Sequence, residues 1–270
     1  MAALSQGERG AITNELHLIR DMAYSGLTAL RRAGAQSLGS YYEAFFALTV
    51  SLERAAKLAL AVDARLSTGS FPSDAQLRKY GHDLVSLVSR VEDMATRRNL
   101  GHKWQRPIKD LDSAVLDFLN EFASASKDRY YNLSFLGEYH AGHSFDAPPA
   151  KWMTLISAEL TVKQLTLTSR ERGFVASQVG IDHAGLVIVM QVREDGSQLS
   201  SLEEAAVHSL LNERVQRVGV MACIQHLRYA AEVLRCVGDA AYNIGMPDVW
   251  DFFTLLLNSD SVFRRRRTFK

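Results

Sequence analysis

Four groups of polar residues in this sequence could handle a phosphate or move a proton. Glu53 and Lys57 stand four apart, the favourable order for an ion pair along one helix. His82 and Asp83 are adjacent near an expected helix start; a carboxylate beside an imidazole can tune a general base near neutral pH. The same pair also fits plain helix-start chemistry, with Asp83 at the positive end of the helix dipole and His82 bonded to a neighbouring side chain. Arg129, Tyr130, Tyr131 and Asn132 form the third group. Arginine clamps phosphate bidentately, tyrosines stack on bases and asparagine reads a base edge. Equally, the tyrosines could cap a bundle while Arg129 pairs with an acid such as Asp83 or Glu53. The fourth is the run Arg264, Arg265, Arg266, Arg267, followed by Phe269 and Lys270, which could hold a nucleic-acid backbone or be a solvated tail. Were Glu53, Lys57, His82, Asp83 and Arg129 to converge, they would make a polar centre that needs full hydrogen bonding or a ligand.

Other chemistries find no support. His140 and His143 lie three apart near Glu138 and Asp146, but no His-Glu-x-x-His pattern occurs, so no metal site is assigned. Nucleophile elbows, phosphate-binding P-loops and dinucleotide turns are missing from the sequence. Cys223 and Cys236 read as buried small hydrophobes. No cofactor is expected.

The elements that would position these residues are mostly helical. Glu8 to Arg32 is one periodic stretch, and a second from Ser40 carries Leu48, Leu52, Ala55, Ala56 and Ala59 on one face. After a loop at Ser67–Asp74, Ser73 or Asp74 can cap a helix that carries Leu84, Leu87, Val88, Val91 and Met94. A polar connector follows from Arg97 to Pro107. Ile108, Leu111, Val115, Phe118, Leu119 and Phe122 form the cleanest amphipathic stripe. Lys127 to Pro149 reads as an aromatic loop, and Ala150 to Thr168 as one helix. Glycines surround the β-branched run Leu186–Val192, which marks residues 169–198 as a strand, hairpin or irregular insert. The last long stretch, Ser200 to Ile244, is expected to kink or break near Gly219 or Gly238, and a short helix starts at Pro247. The division expected is a helical bundle over 1–168, the insert over 169–198, and helices over 199–270 that pack on the bundle and end in the basic segment 264–270.

Composition sets the class. With 47% hydrophobic and 23% charged residues over 270 positions, the chain can build a core without disulfides or structural metal. A formal charge of +1 gives no global field toward nucleic acid or membrane. The longest apolar stretches are broken by Glu53, Arg54 and Lys57, and by Arg228, Glu232 and Arg235, so no membrane span is expected. No secretory signal is visible, and a cytoplasmic location is expected.

Glu53-Arg-Ala-Ala-Lys57, then Tyr80-Gly-His-Asp-Leu84, then Phe122-Ala-Ser with Arg129-Tyr-Tyr-Asn-Leu133, taken in this order, resemble an HEPN-like family of bacterial, plasmid and phage proteins. The resemblance covers about a third of the chain. It implies an all-α bundle, and for many members a metal-independent ribonuclease of stress, phage-defence or toxin–antitoxin systems that works as a dimer or within a complex. Others bind nucleotides or serve as non-catalytic interaction modules. In the ribonucleases an arginine and a histidine with four to six residues between them meet across a dimer. The one such spacing here is Arg97 to His102, with Asn99 between them, on what reads as an interhelical loop where the family has a late helix. The resemblance thus implies Arg129, His82, Arg97 and His102 as candidate catalytic residues. RNA or a nucleotide is the ligand it implies. A homodimer or partner protein is the assembly.

Overall fold

A computed structural model describes residues 2–101, 103–123, 147–181 and 191–269. The fold is mostly α. In chain order the helices are α1 (Gln6–Arg32), α2 (Leu38–Thr68), α3 (Asp74–Arg78), α4 (Leu84–Arg97), α5 (Asp110–Ala123), α6 (Pro148–Ser157), α7 (Val162–Leu165) and α8 (Ser169–Ile181). A two-residue hairpin, β1 (Gln191–Val192) and β2 (Gln198–Leu199), leads into α9 (Leu202–Ala240). α10 (Trp250–Phe253) and α11 (Asp260–Arg265) follow, each preceded by a short 3-10 turn.

The chain forms two compact units. The described residues of the first fall within Met1–Thr28, Ala44–Arg129 and Met221–Lys270. Its core is drawn from the apolar stripes. Leu16, Ile19 and Leu27 of α1, Phe45, Leu48 and Leu52 of α2, Leu84 and Leu87 of α4, and Val115 and Leu119 of α5 are buried. Phe45 meets Phe118 and Phe122 edge-on, with centroids 4.8 and 5.4 Å away. Gly26 lets α1 lie close on α2: a Cβ there would stand 2.9 Å from Leu48 Cγ and 3.2 Å from the Ala44 carbonyl oxygen. Ile108, expected to open the α5 stripe, precedes the helix and is exposed.

Two helices stand where one was expected after the Ser67–Asp74 loop. Ser73 caps only the five-residue α3, with Gln76 completing a capping box. Asp83 caps α4 separately: its carboxylate accepts from Ser86 N at 2.6 Å. α4 ends in a Schellman-type turn. Asn99 takes φ 52° and the Leu100 amide reaches back to the Ala95 carbonyl at 2.9 Å, a job asparagine does at little cost.

Arg228, fully buried on α9, holds the end of this unit in place. It donates to the Leu256 carbonyl (3.0 Å), the Asp260 carboxylate (2.6 Å) and the Asn258 carbonyl, and its guanidinium lies over the rings of Trp104 and Phe263. Phe269 is buried against Phe263, and its backbone N–H donates to Thr28 Oγ1 at 2.9 Å. The basic segment is therefore anchored.

The second unit falls within Ala29–Glu43 and Tyr130–Val220. The helix expected over 150–168 is interrupted, because Thr161 starts α7 with its own capping box to Gln164. Pro148 and Pro149 occupy the first turn of α6, where a missing N–H costs nothing. The expected insert begins with a helix: Thr168 and Glu171 form a capping box that opens α8. Among its described residues only 191–199 is a hairpin, closed at Asp195-Gly196 with Gly196 at φ 80°. Most of the run Leu186–Val192 lies outside the described residues.

Of the two positions expected to interrupt the stretch from Ser200 to Ile244, Gly238 is where α9 ends, at Ala240. The Ala241 amide bonds the Gly238 carbonyl at 2.9 Å and a 3-10 turn follows, whereas Gly219 interrupts nothing. The helix continues through Gly219, which serves packing: a Cβ there would lie 2.3 Å from Trp152 Cζ2. Around that contact runs a buried polar network. Trp152 Nε1 donates to Gln216 Oε1, Gln216 donates to Tyr41 and Asn212, and Tyr41 bonds Glu194 Oε1 at 3.1 Å. His208 Nε2 meets the other oxygen of Glu194 at 2.8 Å. Burial, then the neighbouring Glu194 charge, pushes the Tyr41 hydroxyl well above its usual pKa.

Candidate functional site

The residues that converge lie in the first unit, on the walls of a cleft of about 530 Å³. One wall is a face of α2, made by Arg54, Lys57, Leu58 and Ala61 at helical spacing. Glu53 stands beside it. The opposite wall is α3, with Asp74, Leu77 and Arg78, followed by His82 in the loop before α4; Glu15 of α1 completes the lining.

Glu53 is the hub. Its Oε1 accepts from Lys57 Nζ at 2.7 Å and faces His82 Nδ1 at 2.9 Å. Glu53 is only 15% exposed in its side chain, while His82 is 76% exposed. A carboxylate on Nδ1 favours the tautomer with the proton there, which leaves the Nε2 lone pair for an incoming group. Beside them, Arg54 donates from Nε and Nη2 to the two oxygens of Glu15, both at 2.6 Å. The hydrogen bond to Glu15 raises the Arg54 pKa further, so it stays a cation throughout. Arg78 is exposed and has no carboxylate partner among the described residues.

Of the convergence the sequence suggested, Glu53, Lys57 and His82 meet. Asp83 does not join them: its carboxylate is turned to Ser86 N and to Asn120 Nδ2 (3.1 Å). Those bonds, the backbone one first, hold Asp83 below the usual carboxylate range. The acid partner of His82 is therefore Glu53, not its neighbour in sequence. Arg97 ends α4 and pairs with Asp63 at 2.8 Å, and Arg98 binds the same carboxylate. Asn99 serves as the helix stop. His102, Arg129, Tyr130, Tyr131, Asn132, His140 and His143 lie outside the described residues. Arg264 and Arg265 sit in the last turn of α11; these two and Arg267 are exposed and Arg266 half-buried.

The sequence reading missed Glu15, Arg54 and Arg78. Arg54 lies on α2 and Arg78 ends the short α3, and both line the cleft only because of where those helices lie, a signal available only once their neighbours are known. Glu15 is 39 residues from Arg54, and no local pattern links them. Among the described residues no three of His, Cys, Asp and Glu are grouped to hold a metal ion. No helix among them is long and apolar enough to cross a membrane. Comparison with protein-family models, curated proteins and solved structures returned no match.

Proposed function

We propose that the chain is an HEPN-like, metal-independent ribonuclease of a bacterial stress or phage-defence system, acting at the Glu53–His82 cleft. The observation that carries this reading is the Glu53 carboxylate, which binds Lys57 and the Nδ1 side of His82 at the edge of an open, cation-bearing groove. In the proposed reaction His82 Nε2 takes the proton of an RNA 2′-hydroxyl. The 2′-oxygen attacks the adjacent phosphorus, and the 5′-oxygen leaves with a proton from water. Cyclic phosphate is the product. Glu53 orients the ring and stabilises the imidazolium that forms. Lys57 and Arg78 face the charge gathering on the phosphate oxygens. A dimer or a partner protein fits the resemblance and would bring further groups to the substrate.

The test is a DNA strand that contains a single ribonucleotide. The reading expects cleavage only 3′ of that residue in the presence of EDTA, lost in His82→Ala. Equal cleavage of an all-DNA strand, or an unaffected His82→Ala, would overturn it.

A second reading, a non-catalytic interaction module, draws on the other unit. Val162, Leu165, Phe174 and Val192 are large apolar side chains that stand 81%, 44%, 49% and 42% exposed. Folded protein that cleaves no RNA but sediments as a complex would favour it.

A further inference from the structure

We infer that Arg54 is the principal phosphate-binding group of the cleft and that Glu15 occupies it in place of the ligand. The inference rests on the ribonuclease reading and adds to it a binding residue and an internal competitor. A guanidinium offers two parallel N–H donors that match a carboxylate and a phosphate equally well. Arg54 presents that fork through Nε and Nη2, and the two oxygens of Glu15 fill it, both at 2.6 Å. The Glu15 oxygens thus stand where two non-bridging phosphate oxygens would bind. Arg54 is still 41% exposed in its side chain, so an incoming anion can reach it.

Charge arithmetic over the lining gives the same answer. Arg54, Lys57 and Arg78 contribute three positive charges; Glu15, Glu53 and Asp74 contribute three negative ones. Counted without His82 the lining sums to zero, so the Glu15 carboxylate cancels a positive charge that an incoming phosphate would otherwise meet. Glu53 cannot be the group that yields, since it holds both Lys57 and His82. Glu15 holds Arg54 alone among the described residues. When it swings out, the fork is freed.

The test uses the full chain and a short fluorescent single-stranded RNA, with affinity read by anisotropy at several salt concentrations. Glu15→Gln removes the competing charge and is expected to tighten binding about three- to fivefold, the scale of one exposed ion pair. Its log Kd against log salt should steepen by about 0.7, the value of one added phosphate contact on single strands. Arg54→Gln should weaken binding, and the double variant should lose the gain. If Glu15 merely tied α1 to α2, Glu15→Gln would lower the melting temperature without tightening RNA. That result overturns the inference. So does Arg54→Gln binding as the wild type does, even if Glu15→Gln fails to fold. In either case RNA binding by the wild type leaves the ribonuclease reading standing. Folded wild type and variants that all ignore RNA would sink both.

Discussion

Replacing Gly219 by alanine should destabilise the protein, although the same change raises helix propensity. Gly219 lies inside α9, where alanine is favoured over glycine by about 1 kcal/mol. Against this, the new Cβ would fall 2.3 Å from Trp152 Cζ2 and 3.1 Å from Cε2, far inside ordinary contact. Trp152 is fully buried, and its Nε1 is bonded to Gln216, so the ring cannot slide away without breaking that bond. Overpacking of this kind costs about 1–3 kcal/mol, and the lost hydrogen bond about 1 more. The net loss is about 1–3 kcal/mol, or roughly 2–5 °C in melting temperature for a chain of 270 residues. Gly173 in α8 is the control, because a Cβ there meets nothing within 4 Å. Gly173→Ala should gain about 0.5–1 kcal/mol. Thermal melts followed by circular dichroism and by tryptophan fluorescence would compare the two. Gly219→Ala melting at or above the wild type would refute the packing argument, whereas partial rescue by Trp152→Phe would strengthen it.

Three more predictions concern charge and burial. Arg228→Ala should cost about 3–5 kcal/mol in urea unfolding, because the Leu256 and Asn258 carbonyls lose a buried partner. Lysine should not restore it, having no planar fork to reach both; a loss below about 1 kcal/mol for alanine would contradict this. Glu171 is held down to about 2 by its backbone bond to Thr168, then by the Thr168 hydroxyl and Arg214. A depressed carboxyl stabilises above its unfolded pKa, so the wild type's melting advantage over Glu171→Gln should be full near neutral pH and fade from 4.5 toward 2. An advantage that grew on acidification would reverse the sign and discard the assignment. Cys223 is pushed up to about 12 by burial, and Cys236 is raised by the same cause. Neither thiol should react with a thiol reagent in the native protein at mildly alkaline pH, and both should react in urea. Rapid native labelling would place them wrongly.

The stripes of α1, α2, α4 and α5 were legible because each buries one helical face, and a period of 3.6 is written in the residues themselves. Boundaries set by side-chain caps were harder to see. Thr168-Ser-Arg-Glu171 is a capping-box pattern in plain view, yet the glycines that follow it also fit an irregular insert. Gly219 shows the opposite difficulty: only the position of Trp152, far away in sequence, explains why a glycine stands mid-helix. The site divides the same way. Glu53 and Lys57 could be paired by their spacing of four, whereas Glu53 and His82 are 29 apart and Arg54 and Glu15 are 39 apart. Such pairs are fixed by helix packing, which no local pattern records. Glu194 is the extreme case: a glutamate in a hairpin turn reads as solvated, but it is buried because Tyr41 and His208 satisfy it.

The central claim is that Glu53 and His82 act together on RNA, and end-group analysis tests it most directly. Purified protein would be incubated with mixed cellular RNA in EDTA, beside Glu53→Gln and His82→Ala. The account predicts 2′,3′-cyclic phosphate ends from the wild type, few or none from His82→Ala, and a reduced yield from Glu53→Gln with the fold intact by circular dichroism. Cyclic-phosphate ends that persist undiminished in folded His82→Ala, or their absence from the folded wild type, would contradict it.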